Sequence, residues 1–434
     1  MRQLALAGLL VWISTVARAD DWPQWMGAQR DNVWRETGLV DKLPAQPKVA
    51  WTAAVAGGYS GPAVAQGKVY VTDYVTADNV KVDNFNRAEF TGTERILCFD
   101  EKTGKKLWSQ EHPEKYGISY PAGPRATPLI HAGKVYVHGA EGQITCLDAR
   151  QGDILWSKNL KQTYNTKSAL WGYASQPLID GDHLIILAGG AGSHCVALHK
   201  DTGDEVWRTG TAREQGYSPP LIIQHGGTRQ LILCSPEAVY SVDPATGRQF
   251  WSVDYEGTNG SIIMTPILHG NHLFVGGYDN KNLMLELSPD KPGAKVLWWN
   301  QEKHALSPVN VQPFLLDGRV YGFDQSGEMR CIDIPSGDIV WSTTEPLGGR
   351  KQGSGTVFLV RAGETNKFWM FTEKGDLVIG KLDSKGFEEL SRMHVIDPTN
   401  NAFGREVVWC APAFANGRMY VRNDKELIVV DLTK

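Results

Sequence analysis

A nine-residue motif recurs along this chain and constrains the fold more than any other feature. In five copies, a glycine follows the first residue by four positions and a tryptophan follows it by eight. Tryptophan occupies only 15 of 434 positions, so these coincidences are not chance. The copies begin at Asp100, Asp148, His199, Asp243 and Asp333 and end at Trp108, Trp156, Trp207, Trp251 and Trp341. The chain is therefore built from internal repeats.

Three weaker copies complete the series. The unit from Ser288 to Trp298 carries two extra residues, the unit from Asp383 has leucine in place of tryptophan, and Asp431 lies near the end of the sequence. The eight first residues are about 47 positions apart on average. The last strand of the eighth copy is expected near the other end, where Lys48-Val49-Ala50-Trp51 resembles the final strand of the other copies.

Each repeat is predicted to contain four short strands. In the second repeat, turns separate apolar stretches at Thr127–Ile130, Lys134–Val137, Gln143–Leu147 and Asp153–Trp156. Four strands in a unit of roughly 40–50 residues are typical of a propeller blade. We therefore predict an all-β, eight-bladed β-propeller of four-stranded antiparallel blades over residues 48–434. The N-terminal strand is predicted to pair with the C-terminal blade, because this pairing removes the open edge of the ring.

The repeated tryptophan is predicted to have a structural role. At the end of an outer strand its indole can wedge between adjacent blades, where its burial contributes about 4–6 kcal/mol before entropic costs. None of these residues is expected to bind a cofactor. The predicted docking residues are Trp51, Trp108, Trp156, Trp207, Trp251, Trp298 and Trp341.

Residues 1–19 are predicted to be a signal peptide. Arg2 precedes an apolar stretch from Leu4 to Val16, and Ala17-Arg18-Ala19 has the small-x-small pattern of a cleavage site. The apolar stretch is too short for a membrane span. We therefore expect a periplasmic or secreted protein, cleaved near Ala19, without a transmembrane segment. Residues 20–47 form a lead segment that either packs on the ring or extends from it.

Composition and short motifs exclude several classes of function. Hydrophobic residues make up 42% of the chain and charged residues 21%, which indicates a folded protein. The formal net charge is −4 and no long basic run occurs, so nucleic acid is not an expected partner. No dinucleotide fingerprint, phosphate-binding loop or hydrolase elbow is present, and no metal-ligand set is predicted. We expect a monomer.

The six cysteines are predicted to be buried free thiols, although disulfides are common in exported chains. Cys98, Cys146 and Cys331 occupy the same position of three repeats, two residues before the aspartate. Equivalent positions of different blades are not expected to bring two Cα atoms within the ~7 Å that a bridge requires.

Loop lengths favour one face of the ring as the functional face. The first and third turns of each repeat share one face and are mostly short, as at Ala132-Gly133. The long connections, among them residues 73–95, 109–124 and 391–409, lie on the opposite face, where loops on a rigid scaffold often carry function. A proline starts the first strand of most repeats, as expected of an edge strand that lines the channel.

Residues close to these prolines form a candidate site at the channel mouth. Aromatic, arginine and asparagine side chains around a funnel can bind a flat or anionic ligand. The alternative is that they fill the channel and satisfy loop backbones. The candidate ligand-binding residues are Tyr59, Arg125, Trp171, Tyr173, Tyr217, Asn310 and Trp409.

The repeats resemble those of a known family. Leu97–Trp108, Cys195–Trp207 and Val239–Trp251 are similar to the tryptophan-docking repeat of pyrroloquinoline-quinone (PQQ) propellers. Together with the opening Asp21–Gly27 and the stretch Gly123–Pro128, they make the chain resemble bacterial exported PQQ-like repeat proteins. The resemblance covers essentially all of the chain after residue 19, and it implies the propeller fold.

The resemblance implies two alternative functions. Outer-membrane assembly lipoproteins are propeller scaffolds without a cofactor, and quinoprotein dehydrogenases bind PQQ with Ca²⁺ and oxidise alcohols with an aspartate base. We predict a non-enzymatic scaffold of the cell envelope that binds a small-molecule ligand or an envelope protein. The alternative is a PQQ-dependent dehydrogenase of alcohols or sugars, with Arg125 beside a quinone carboxylate and Trp171 or Trp409 stacked on the quinone.

Overall fold

Eight blades, each with four antiparallel strands, form a ring in the computed structural model, which describes residues 20–80, 84–120, 122–299 and 305–434. The eight-bladed propeller predicted from the repeat spacing is confirmed. The predicted signal peptide, residues 1–19, lies outside the described residues. Within the described ranges, no helix is long and apolar enough to cross a membrane.

The first four blades follow the chain from the innermost strand outwards. Two strands precede them, β1 (Val33–Trp34) and β2 (Val49–Ala54). Blade one contains β3 (Ala63–Ala65), β4 (Lys68–Val75), β5 (Ala88–Asp100) and β6 (Lys106–Ile118). Blade two contains β7 (Leu129–His131), β8 (Lys134–His138), β9 (Gln143–Asp148) and β10 (Ile154–Asn159), and helix α1 (Leu160–Tyr164) follows it. Blade three contains β11 (Leu178–Asp180), β12 (His183–Leu187), β13 (Cys195–His199) and β14 (Glu205–Thr209). Blade four contains β15 (Leu221–His225), β16 (Thr228–Cys234), β17 (Ala238–Val242) and β18 (Gln249–Asp254).

The remaining blades repeat this order, with short 3-10 helices at Thr258–Gly260 and Glu345–Leu347 in the links. Blade five contains β19 (Ile267–His269), β20 (His272–Gly277), β21 (Lys281–Leu287) and β22 (Ala294–Trp299). Blade six contains β23 (Phe314–Leu316), β24 (Arg319–Phe323), β25 (Met329–Asp333) and β26 (Ile339–Thr343). Blade seven contains β27 (Val357–Ala362), β28 (Lys367–Thr372), β29 (Asp376–Asp383) and β30 (Gly386–His394). A hairpin of β31 (Asn400–Ala402) and β32 (Arg405–Val407) leads to blade eight, with β33 (Ala413–Ala415), β34 (Arg418–Arg422) and β35 (Glu426–Asp431).

The two ends of the propeller meet in blade eight. Strand β2 pairs antiparallel with β35 as the fourth strand of this blade, with Trp51 opposite Val429. The fully buried Arg422 of β34 crosses to blade one, where its Nη1 donates to the Thr72 carbonyl oxygen at 2.6 Å and its Nη2 donates to the carbonyl of Ala56. The closure predicted from the orphaned strand is therefore present and is reinforced by a buried cation.

The docking tryptophans contact the turn of the following blade. A Cβ atom at Gly104 would lie 2.5 Å from the Trp51 ring, and one at Gly152 would lie 2.6 Å from the Trp108 ring. Five indoles also donate to a backbone carbonyl of the following blade at 2.8–3.1 Å. The glycine of the repeat is thus required for two reasons. Its φ is positive, and the indole lies flat against it, where a side chain would not fit.

Trp251 differs from this pattern. Its Nε1 donates at 3.0 Å to Oε1 of Gln230, a residue of its own blade. The copy after it carries the two inserted residues, and its glycine, Gly293, faces Ser288 instead of an indole. The insertion therefore coincides with the loss of the glycine platform.

All six cysteines are free and buried, as the sequence predicted. Cys98 lies opposite both Tyr70 and Trp108 in blade one, and Cys146 is placed in the same way in blade two. Burial raises the pKa of Cys98 and of Cys146 to about 12. These thiols are therefore protonated packing groups within the sheets.

In blade one, residues that were predicted to be long loops form strands instead. Much of residues 73–95 and 109–118 was predicted as long connections, yet β5 and β6 each have 13 residues and pair along their whole length. Alternation of polar and apolar residues continues beyond the part of the hairpin that the repeat motif covers, so the hairpin projects above its neighbours. The connection 391–409 likewise contains the β31–β32 hairpin.

The lead, residues 20–47, packs on the ring. Trp22 forms two backbone hydrogen bonds with Val64 of β3, both at 2.9 Å, and β1 pairs in parallel with β27. Between these contacts the segment enters the channel and turns back, so that Trp25 lines cavities above and below it. Of the two arrangements left open by the sequence, the structure adopts the packed one.

Candidate functional site

The upper face, defined as the face that carries the long connections, has a cavity of about 210 Å³ at the channel mouth. Its walls come from the residues that precede the first strands and from the long connections. Trp25 of the lead lies at its floor and also lines a smaller cavity of about 30 Å³. Six of the residues predicted at the mouth line the larger cavity: Tyr59, Arg125, Trp171, Tyr217, Asn310 and Trp409.

Seven aromatic rings surround this cavity in a continuous series of contacts, which we call the aromatic belt. Neighbouring ring centroids are 5.4–6.5 Å apart, within the usual range for aromatic pairs. Phe85 and Phe403 are the outermost rings, with 45% and 39% of their surface exposed. In order of contact, the members of the belt are Tyr59, Tyr120, Trp409, Phe403, Phe85, Trp171 and Tyr217.

Three members of the belt were not predicted from the sequence. Phe85, Tyr120 and Phe403 lie in long connections, where no repeat register assigns a position to a side chain. An available signal was the presence of aromatic residues in segments already assigned to the upper face. Trp25 was missed because nothing in the sequence indicated that the lead enters the channel.

Arg125 holds the loops of the upper face together. Its Nε donates to the Trp171 carbonyl oxygen at 2.9 Å and its Nη2 donates to the Ser119 carbonyl oxygen at 2.9 Å. Further donations reach the carbonyls of Gly123 and Tyr120. The guanidinium carbon lies 5.2 Å from the Tyr59 ring centroid, so the charge also faces the belt. Most of its five N–H groups are therefore used by backbone carbonyls and are not available to a ligand.

Glu373 orients the opposite side of the belt. It is almost fully buried, and its Oε2 accepts from Trp409 Nε1 at 3.1 Å and from the Thr356 backbone N–H at 3.1 Å. Arg405 donates to both carboxylate oxygens, at 2.8 and 3.1 Å, which balances the buried charge. This bidentate pair holds the Trp409 ring in a fixed orientation at the cavity wall.

Tyr173 does not line the cavity, although it was predicted at the mouth. It is fully buried between blades two and three, and its hydroxyl donates to the Ala188 carbonyl oxygen at 3.2 Å. Its ring packs against Gly142, where a Cβ would lie 2.6 Å from the ring, and against His138 at a centroid distance of 5.1 Å. The side chain turns away from the channel and is part of the core between the blades.

Two buried imidazoles are expected to make the fold sensitive to acid. Burial lowers the pKa of His138 and of His194 from 6.5 to about 4. The unfolded chain takes up a proton near pH 6.5 that the folded chain does not accept, so this stability is complete above pH 6.5 and is lost as the pH falls towards 4. In His138→Phe, the drop in the urea midpoint between pH 7 and pH 4.5 should be smaller than in the unchanged protein.

Exposed His131 provides the control for this prediction. His131→Phe should show the same drop in the urea midpoint as the unchanged protein. An equal drop in His138→Phe would contradict the assignment of this proton uptake to His138.

The cavity has the chemistry of a binding site. Among its described lining residues, Arg125 is the only one with a permanently charged side chain, and Asp, Glu, His, Lys and Cys are absent. Burial raises the pKa of Tyr59 and of Tyr217 above 10, so both hydroxyls are protonated at neutral pH. These walls therefore supply apolar surface and aromatic faces, and no general base.

The matches to known proteins agree with the fold and the repeats. The family model described as outer membrane protein assembly factor BamB matches residues 92–234 and 235–384. The chain belongs to this BamB family. The family assignment confirms the resemblance to PQQ-like repeat propellers.

Individual relatives show how far the likeness reaches. Outer membrane protein assembly factor BamB of Shewanella oneidensis is 22% identical over 329 residues, covering 69% of this chain and 71% of that protein. Quinoprotein ethanol dehydrogenase of Pseudomonas putida is 26% identical over 204 residues, and the matched part covers 41% of this chain but only 32% of the enzyme. The crystal structure of quinohemoprotein alcohol dehydrogenase from Comamonas testosteroni matches with a TM-score of 0.59, covering 96% of this chain and 81% of that chain at 13% identity. This structural likeness shows a common fold alone.

The cavity does not fit PQQ and Ca²⁺, the groups that the quinoprotein relatives suggest. A quinone with several carboxylates needs free cationic donors, yet Arg125 is held by loop carbonyls. Calcium needs six to eight oxygen ligands, for which carboxylates are the usual source, and the described lining residues include none. The family of this chain therefore shares the fold of the dehydrogenases, while the donor set at its channel mouth differs from what their chemistry needs.

Proposed function

We propose that this chain is a non-enzymatic binding scaffold of the cell envelope, whose mouth cavity receives an apolar or aromatic group of a protein partner. The observation that carries this proposal is the aromatic belt around a cavity whose described walls hold one charged side chain and no carboxylate. Aromatic rings that are already packed together lose little conformational entropy when they bind a partner. The belt is therefore suited to recognition.

The family relationship supports a protein partner over a small molecule. Relatives such as the one from Shewanella oneidensis are named outer membrane protein assembly factors, a role that requires contact with other polypeptides. The proposed location is the periplasm or the exterior, after cleavage of residues 1–19 near Ala19. In this proposal residues 48–434 form the propeller domain and the protein acts as a monomer.

The geometry of the belt suggests how a partner would bind. Phe85 and Phe403 are half-exposed at the rim, and Trp171 and Trp409 lie deeper. A volume of about 210 Å³ accommodates one or two side chains of a partner, not a whole domain. Binding energy in such interfaces concentrates on a few aromatic anchors in a desolvated pocket. We therefore expect the rim to contact partner backbone while one apolar side chain enters the cavity.

Site-specific photocrosslinking in cells tests this proposal. A benzophenone amino acid placed at Phe403 is expected to crosslink to one main envelope polypeptide. Trp409→Ala in the same protein should lower the crosslink yield about tenfold or more, because loss of an interface aromatic anchor typically costs ~2 kcal/mol or more. Trp409→Phe keeps a ring in the belt and should restore most of the yield.

A second probe position provides the control. Leu155 lies on the outer strand of blade two, is 47% exposed and does not line the cavity, so the same photoreactive residue there should not capture that polypeptide. Equal capture from both positions would contradict a partner site at the mouth. Saturable PQQ binding, with dye-linked alcohol oxidation in the presence of Ca²⁺, would replace the scaffold proposal with the dehydrogenase alternative.

A further inference from the structure

The lead binds the ring as an added strand does. Its backbone accepts from the Ile130 N–H at Pro23 and from the Arg361 N–H at Asn32, both at 2.8 Å. With the two bonds between Trp22 and Val64, these contacts use the inner edges of blades one, two and seven. The inner edge of a propeller blade has free N–H and C=O groups, so it can pair with an extended segment.

Two tryptophans anchor the lead in the ring. Trp22 is 4% exposed and contacts Phe414 at a centroid distance of 6.1 Å. Trp34 is 1% exposed, and its ring lies 5.0 Å from Phe414 and 5.4 Å from Trp369. Each anchor is separated from the other by the turn inside the channel, so the segment is held at two points.

Two carboxylates of the lead bind turns on the lower face, which is the face opposite the cavity. Asp21 Oδ2 accepts from the Gln66 backbone N–H at 3.0 Å in blade one. Glu36 accepts from the backbone N–H groups of Asn416 and Gly417 in blade eight, at 2.5 and 2.6 Å. Gln66 and Asn416 occupy equivalent turns of neighbouring blades, and both have positive φ, which directs their amides towards the lead.

The part of the lead inside the channel forms a turn with costly backbone angles. Met26, Arg30 and Asn32 all have φ between 54° and 65°, a conformation that is costly for residues with a side chain. Arg30 Nη1 donates to the Pro177 carbonyl oxygen of blade three at 2.8 Å, and its guanidinium faces Trp25 at 5.8 Å. The turn also has backbone hydrogen bonds of its own, such as that from the Asn32 N–H to the Met26 carbonyl oxygen at 3.0 Å, so these bonds and the contacts with the ring hold the bound conformation together.

The connection between the lead and the propeller makes few contacts. Pro44, Ala45 and Gln46 are exposed, and they separate the anchored segment from β2. The backbone and side-chain contacts described above all lie in residues 20–40. Leu43 adds a further contact, since it is 6% exposed and its N–H donates to Ser391 Oγ at 3.1 Å. Residues 20–43 thus supply the recognition, and the exposed link adds proximity.

We propose that the lower end of the channel is a binding site for an extended polypeptide segment with tryptophan anchors and a carboxylate that follows them. Residues 20–43 are the resident occupant of this site and can be exchanged for a segment of the same chemistry supplied by another molecule. Because Trp25 lies at the floor of the mouth cavity, exchange at the lower end also replaces the floor of the upper cavity.

Cutting the link after folding tests this inference. A site-specific protease sequence is inserted between Ala45 and Gln46 of the full chain, and the folded protein is then cleaved. The fragment that ends at Ala45 is expected to elute with the ring in size-exclusion chromatography. An excess of a labelled synthetic peptide of residues 20–43 should displace it, with a saturable signal in fluorescence anisotropy.

Peptide variants separate specific binding from simple retention. Trp34→Ala in the peptide should weaken binding on the order of a hundredfold, because it removes a fully buried aromatic ring. Glu36→Gln should weaken it about tenfold, since a charge-assisted acceptor becomes neutral. Thr37→Ala alters an exposed position and should leave the affinity unchanged.

Three outcomes would overturn the inference. Immediate loss of the fragment after cleavage would show that the covalent link holds the lead in place. Unfolding of the cleaved protein, or retention that excess peptide does not reverse, would show that the lead is an integral part of the core. The test does not depend on any partner at the mouth, so its failure leaves the proposed scaffold function standing.

Discussion

Gly152→Ala is expected to lower the free energy of unfolding by about 2–5 kcal/mol. Gly152 has a φ of +81°, which costs an alanine ~1–2 kcal/mol, and the new Cβ would lie 2.6 Å from the Trp108 ring. The indole must shift from its position between blades one and two, and overpacking of this kind costs about 1–3 kcal/mol more. Urea denaturation followed by circular dichroism measures the change in midpoint.

Gly133→Ala in the same blade separates the two causes. Gly133 has a φ of +76°, and no atom lies within 4 Å of the position that its Cβ would take. This variant should therefore show only the backbone cost of ~1–2 kcal/mol. If both alanine variants unfold at the same urea concentration, the docking of indole on glycine contributes nothing to stability, contrary to our prediction.

Arg422→Met is expected to destabilise the propeller by about 3–5 kcal/mol, because it removes the charge-assisted hydrogen bonds that a buried guanidinium makes across the ring closure. The guanidinium is fully buried and donates to the carbonyls of Thr72, Ala56 and Asn423. Methionine fills a similar volume but donates no hydrogen bond. The Thr72 oxygen keeps the Ser60 hydroxyl as a donor at 3.1 Å, whereas the oxygens of Ala56 and Asn423 lose the guanidinium, at a cost of ~1–3 kcal/mol for each group that stays dry. Hydrogen exchange should show the largest loss of protection in β2 and β35.

Arg229→Met is the matched control on the protein surface. Arg229 is about half exposed and forms a bidentate pair with Asp180, a kind of contact that contributes less than ~1 kcal/mol. The urea midpoint of this variant should remain close to that of the unchanged protein. Equal stability of the two methionine variants would mean that Arg422 is not needed to join blade eight to blade one.

The fold could be predicted because its rules are local and repeated. Gly104 and Gly152 hold the same place in their copies, so one pattern fixes both the turns and the blade count. Cys98 was predicted to be a free thiol because it holds the same position as cysteines of two other repeats, and the structure places it opposite Tyr70 and Trp108 within the sheet. The lengths of β5 and β6 were not predicted, since they extend beyond the repeat and depend on a hairpin that only this blade carries.

The candidate site was predicted in part, for the same physical reason. Tyr59, Arg125 and Tyr217 sit at fixed distances from the prolines of the first strands, so the repeat placed them at the mouth. The repeat pattern does not predict side-chain rotamers. Tyr173 was therefore assigned to the mouth, although its ring turns into the core. The repeat pattern also does not predict contacts between loops that are distant in sequence, such as the contact between Phe85 and Phe403.

The docking of each indole on the glycine of the following blade has a consequence for how such rings can evolve. Every regular copy carries both the tryptophan and the glycine of this contact. A duplicated unit could therefore pack against another regular copy on either side. Trp251 and Gly293 break this equivalence, because the indole bonds within its own blade and the glycine receives none. The copy that begins at Asp383 breaks it as well, because Leu390 replaces the tryptophan and no atom lies within 4 Å of a Cβ placed at Gly386. The joint between blades four and five and the two joints of blade seven are therefore ones that a shuffled gene could not reproduce with other copies.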